Sequence, residues 1–228
     1  VLFLAWAAVV FGYPFAAREA LARFGVAPCA TVLALFATAS LLLARRTARR
    51  AVGAGLASGL GLVALPAAAA LTGDRTPLLF VPAWVYVILA QVFRASLREE
   101  GSIVERGVQL LHPWAPDFIR SYCRKLTAGW AVFFGANAAA IAALAAAAPL
   151  PWWEAYTSWI QYALMGAISA VEFVVRKAWF RYYYRGGPVD RLLASFFPAE
   201  ATPEGRRSLE YIRRMREELA SAAQPRAQ

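Results

Sequence analysis

The chain has 228 residues, 60% of them hydrophobic and 17% charged, with a formal net charge of +10. That much apolar surface cannot be hidden in one water-soluble core of this size, so a purely soluble fold is excluded and lipid is expected as part of the solvent. A basic excess can signal nucleic acid, but no nucleic-acid motif accompanies it and the charge sits beside apolar runs, so no such partner is expected.

The apolar residues gather into six runs nearly free of charge, each about 16 to 23 residues long, enough for a helix to cross roughly 30 Å of hydrocarbon. They span approximately Val1 to Ala17, Pro28 to Ala44, Ala51 to Leu71, Leu78 to Phe93, Leu126 to Ala148 and Tyr156 to Val175. The Ala/Leu-rich runs lack the dyad alternation of barrel strands, and a spanning helix satisfies its own backbone, so the predicted fold is all-α and polytopic. The first run is read as a retained helix rather than a signal peptide: no basic segment precedes it, and Phe15-Ala16-Ala17 is a poor cleavage site. The third run carries Gly53, Gly55, Gly59 and Gly61. No strand precedes these glycines, so they are read as surfaces for close helix approach rather than a nucleotide loop. Pro66 in the same run is expected to bend it.

Orientation follows from Lys and Arg, which stay on the cytoplasmic side of short loops. With the amino terminus inside, four basic residues fall at 45–50, six at 94–125 and eleven from Arg176 onward, 21 of the chain's 24. Only Arg18, Arg23 and Arg75 fall outside, where Glu19, Asp74 and Glu154 balance them. Inside, ten carboxylates leave a surplus of +11. The expected topology is therefore six spans with both ends and the 94–125 loop in the cytoplasm. Its basic face would attract anionic lipid or an acidic protein. Residues 1–175 are the expected membrane domain and 176–228 a basic tail. Cys29 and Cys123 fall at opposite faces and cannot pair; with one histidine they offer no metal site, and no cofactor is expected.

Within the 94–125 loop, Ser102 and Glu105 form a capping box for an amphipathic helix whose Val104, Val108 and Leu111 share a face, ended by Pro113. A second helix starts near Asp117 and runs into the fifth span. After the sixth span, Trp179 to Arg185 interleaves aromatic rings with Arg181 and Arg185, suiting the headgroup layer, and Gly186-Gly187-Pro188 breaks the chain. A last helix starts at Thr202-Pro203 and reaches about residue 220. Tyr211, Ile212, Met215 and Leu219 form its apolar strip, and Glu210, Arg214 and Glu218 its ion pairs. The chain after Ser221 is expected to be disordered. Arg206, Arg207, Arg213 and Arg214 on this helix, with Arg181 and Arg185, are the candidate contacts for lipid or an acidic partner. Inside the runs, Gln91, Asn137 and Gln161 are read as interhelical glue, and Glu172 as an i to i+4 ion-pair partner of Arg176.

One pattern points to catalysis. His112 and Asp117 have the His-x4-Asp spacing of glycerolipid acyltransferases, in which a carboxylate orients an imidazole base. Pro203-Glu204-Gly205-Arg206-Arg207-Ser208 resembles the phosphate-holding element of those enzymes, making Glu204 and Arg206 further candidates. Two apolar runs occupy the place of that family's sheet, two prolines crowd the His/Asp segment, and the family's other blocks are missing, so a binding, scaffold or transport role is preferred.

Ile119-Arg120-Ser121-Tyr122-Cys123-Arg124-Lys125-Leu126-Thr127, continuing to Trp130, Phe133, Phe134 and Asn137, resembles an uncharacterised family of bacterial inner-membrane proteins. The tail from Phe197-Pro198 through Arg206-Arg207-Ser208-Leu209-Glu210-Tyr211-Ile212 fits it too. The likeness covers roughly residues 94 to 215. It implies an accessory role beside the acyl carrier proteins, ketosynthases and acyltransferases of aryl-polyene or xanthomonadin-like pathways, with an acidic acyl carrier protein as partner. The alternatives are a small transporter or flippase of a lipid-like product and the His112/Asp117 acyltransferase.

Overall fold

The computed structural model describes residues 19, 22–47, 52–111, 115–180 and 187–223, with backbone only at 40–47, 52–58 and a few further positions. Nine helices of six or more residues follow one another there: α1 Val26–Thr47, α2 Val52–Thr72, α3 Val81–Ser96, α4 Ile103–Leu111, α5 Arg120–Ala147, α6 Leu150–Ala155, α7 Gln161–Trp179, α8 Pro188–Phe196 and α9 Pro203–Ala223. No strand occurs among the described residues. Three stretches, Thr76–Ser96, Asp117–Ala147 and Leu150–Ala178, are long and apolar enough to cross a membrane. They coincide with the fourth, fifth and sixth predicted runs. Shorter apolar stretches, Val26–Ala39 and Gly59–Thr72, fall on the second and third, and the first lies outside the described residues.

The described residues form two compact units, one from 1–104 and 124–162, the other from 105–123 and 163–228. In the first, α1 packs on α2 and α2 on α3. The close approach expected of the glycines is realised at Gly61, where an added Cβ would strike the Trp84 indole. Pro66 sits fully buried inside α2. Gly73 closes that helix at φ 69° and donates its N–H to Ala69 O at 2.9 Å, a left-handed cap suited to glycine. Asp74 then accepts from the Thr76 backbone and hydroxyl, which holds its carboxyl below the usual carboxylate range.

Around Phe134 the core is aromatic. Phe93, Trp130 and Tyr86 lie 5.1, 5.5 and 5.9 Å from it between ring centroids, with Ala83, Ala138 and Ile141 buried beside them. Trp130, Phe133 and Phe134, three residues of the family-like signature, thus serve packing, each aromatic pair adding roughly 0.5–1.5 kcal/mol beyond its area. Trp153 donates to Leu79 O at 3.1 Å, while Arg124 donates to the carbonyls of Leu97 and Glu99. These contacts join the start of α6 to the start of the first span, and the start of α5 to that span's end. Within this unit α3 and α5 therefore run in opposite directions.

Between α3 and α5, the amphipathic helix predicted after Ser102 is present as α4, and Ser96 Oγ accepts its first N–H, from Ile103, at 3.2 Å. Its buried side chain is Glu105 rather than an apolar one; Leu110 and Leu111 are 84% and 76% exposed. The helix predicted near Asp117 is also found, as a 3₁₀ turn, Asp117–Ile119, flowing into α5. Gly186-Gly187-Pro188 does more than break the chain, because Pro188 opens α8. Proline at a first helical position loses no hydrogen bond, since that N–H would have no partner in the helix. The last helix begins at Pro203 as expected and runs to Ala223; residues 224–228, in the stretch expected to be disordered, lie outside the described residues.

Candidate functional site: a basic tail helix held at the end of a span

The second unit is organised by the first turn of the Asp117–Ala147 span. Burying the Glu105 carboxylate requires a cation, and Arg120 supplies it at 3.2 Å. The same guanidinium reaches Asp117, also at 3.2 Å. Glu105 is 6% exposed and Asp117 90%, so one carboxylate is interior and the other solvated. Cys123, one turn after Arg120, is buried, and neither it nor Cys29 is in a disulfide.

One residue from that thiol, the Tyr122 hydroxyl lies 3.4 Å from Glu172, which accepts from Arg176 Nε at 3.0 Å. The i to i+4 pair expected between Glu172 and Arg176 is therefore formed. It has a third member from 50 residues away, invisible to any local pattern. The start of α5 and the end of α7 are fastened side by side in this way.

Aromatic rings extend the junction into the tail. Phe180 packs on Tyr122 at 4.8 Å and stacks on Phe118 at 6.2 Å; Tyr211 of α9 meets Phe118 edge-on at 6.4 Å. Burial there, with Glu218 and Asp117 nearby, pushes the Tyr211 hydroxyl above its usual pKa, since each opposes a phenolate. Of the apolar strip predicted on the last helix, Tyr211 thus has a partner in Phe118, while Leu219 is exposed.

The start of α9 is built for packing. Gly205 N–H donates to Thr202 Oγ1 at 3.1 Å, a side-chain cap for the helix. A Cβ at Gly205 would strike the Ala199 carbonyl, so only glycine lets the 3₁₀ turn Ala199–Ala201 lie this close. Arg206 donates to Glu200 O at 3.2 Å and the buried Ser208 to Glu204 O at 2.9 Å. In the Pro203–Ser208 element the Arg206 and Ser208 side chains thus have local structural tasks, whereas Glu204 enters these contacts through its backbone carbonyl. On α9 the side chains of Arg206, Arg207, Arg213 and Arg214 are all exposed. Among the described residues no ion pair closes between Glu210, Arg214 and Glu218, contrary to expectation; exposed pairs on long side chains gain little from closing.

Of the other predicted residues, Arg181, Arg185 and His112 lie outside the described residues. Asn137 acts as expected between helices, accepting from the Tyr156 hydroxyl at 2.9 Å. Gln91 is exposed on its span. Gln161 differs: its amide donates one turn back, to Thr157 O at 2.6 Å, and its buried Oε1 has no hydrogen-bond partner among the described residues. A π-helical turn, Tyr156–Ile160, precedes it. Sequence reasoning missed Phe118, Tyr122 and the Glu105–Arg120 pair. The isolated acidic residue in α4, followed 15 positions later by arginine at a span start, was the available signal. No significant match to the chain was found among protein-family models, curated proteins or solved structures.

Proposed function

We propose that the chain is a six-span accessory protein of a bacterial inner membrane, with both ends in the cytoplasm, that presents the basic α9 surface at the membrane to an acidic partner. One observation supports this above the rest: Tyr211 seats α9 on Phe118 at the start of a span, while Arg206, Arg207, Arg213 and Arg214 remain exposed. A cationic surface fixed beside a bilayer suits a shuttle protein that is acidic and carries a lipid-like chain. An acyl carrier protein of an aryl-polyene or xanthomonadin-like pathway has that chemistry, as the family resemblance implies. The protein's task would be to hold such a carrier where its product enters the membrane.

Recovery of the carrier by the full chain at low and high salt tests this reading. Exchanging Arg206, Arg207, Arg213 and Arg214 together for Gln should abolish the salt-sensitive part of binding, because exposed charges act over only about 8 Å at physiological ionic strength. Equal, salt-insensitive recovery by both forms overturns it. Transport of a lipid-like product is the second reading, favoured by the unpartnered Gln161 Oε1 beside a π-helical turn, a feature common at functional sites. Gln161→Leu would then abolish product export while leaving carrier recovery unchanged.

A further inference from the structure

Helix α8 has no part in the basic platform, yet it carries exposed apolar side chains. Leu192 is 61% exposed and Phe196 70%, one turn apart on the same face, and Phe197 follows at 48%. Arg191 and Ser195, also one turn apart and exposed, form the row beside them. Such a helix is unfavourable in water and suited to an interface with apolar material below and phosphates above.

Its position comes from its flanks. Phe180, eight residues before α8, and Tyr211, fifteen residues after it, both pack on Phe118. Phe118 is the second residue of the Asp117–Ala147 span, so both approaches to α8 are pinned at the end of a membrane helix. On its far side the Ala199–Ala201 turn is locked to α9 through Gly205 and Arg206.

We propose that α8 lies in the plane of the membrane surface, with Leu192, Phe196 and Phe197 seated among the upper acyl chains and Arg191 at the phosphates of anionic lipid. A protein occupant is disfavoured by size. Three such side chains cover on the order of 500 Å², whereas a stable interface needs about 800 Å² per partner. Lipid sets no such minimum. The inference rests on reading the chain as a membrane protein whose tail docks at a span end, and it adds the lipid leaflet as a second contact of that tail.

The test places the photoreactive residue benzoylphenylalanine singly at 191, 192, 195 and 196 of the full chain, in nanodiscs of phosphatidylcholine with or without phosphatidylglycerol. After illumination, lipid adducts at 192 and 196 should exceed those at 191 and 195 at least ten-fold. Arg191→Gln should lower the yield at 196 two-fold or more in the anionic discs only. Equal yields at the four positions, absence of lipid adducts, a yield unaffected by Arg191→Gln, or cross-links to a second copy would overturn the proposal. Carrier recovery on the same discs separates the two readings: if it persists without lipid adducts, α8 alone has been misassigned. If adducts form but the arginines of α9 prove irrelevant to carrier recovery, the platform reading falls and the lipid contact stands.

Discussion

Two carboxylates share Arg120, and their surroundings decide what each contributes. Removing Arg120 would take the cation away from an interior carboxylate, because Glu105 is 6% exposed, whereas Arg120 itself is 58% exposed and could turn to water. Losing the cation should therefore cost more than losing either anion. We expect Arg120→Ala to destabilise by about 2–4 kcal/mol, Glu105→Gln by about 1–2 and Asp117→Asn by under about 0.5, measured as thermal unfolding in detergent. Asp117→Asn should also leave pathway function intact. If it kept wild-type stability but abolished function, the exposed carboxylate would be working as the His-x4-Asp spacing suggests, and the acyltransferase reading would displace the platform.

Among the helices, glycine substitutions separate close approach from idle flexibility. Alanine normally favours a helix over glycine by about 1 kcal/mol. Gly135 has nothing within 4 Å of an added Cβ, so Gly135→Ala should be neutral or stabilising, while Gly205→Ala must displace a backbone carbonyl and should cost about 1–3 kcal/mol. Protease cleavage between α8 and α9 would report the second loss directly. The Tyr211 contact adds a pH response. Its hydroxyl is raised above 10.0, so the docked tail favours the protonated form: docking holds below that value and weakens as pH climbs through the folded one. Protease sensitivity of α9 should rise above about pH 10, and Tyr211→Phe should remove that pH dependence. Most long elements were legible beforehand, since an apolar run, a capping serine or a proline at a helix start acts within a few residues. Helix α8 was not, because Gly186-Gly187-Pro188 reads equally as a break and as an entry. The site was legible only in part. The α9 arginines declare themselves by composition, but Phe118, Phe180 and Tyr211 converge from distant positions, and nothing local in an aromatic residue names its partner.

For the whole chain, the alternation of charge between runs makes topology the broadest prediction. Reporter fusions after Arg46, Ser102 and Ala220 should report cytoplasm, and those after Arg23, Arg75 and Glu154 periplasm; one robust reversal breaks the six-span arrangement. The meeting of Phe180 and Tyr211 on the single ring of Phe118 has a consequence for how the tail works. Thirty-one residues separate the two, and a flexible coil of that length would wander about 30 Å from its anchor, several times the roughly 8 Å over which headgroup charge is felt. A leashed α9 would spend most of its time beyond that range, and its effective concentration at the surface would fall accordingly. Stacking on Phe118 turns the leash into a fixed arm, so Phe118→Ala should weaken carrier capture without removing a single charge.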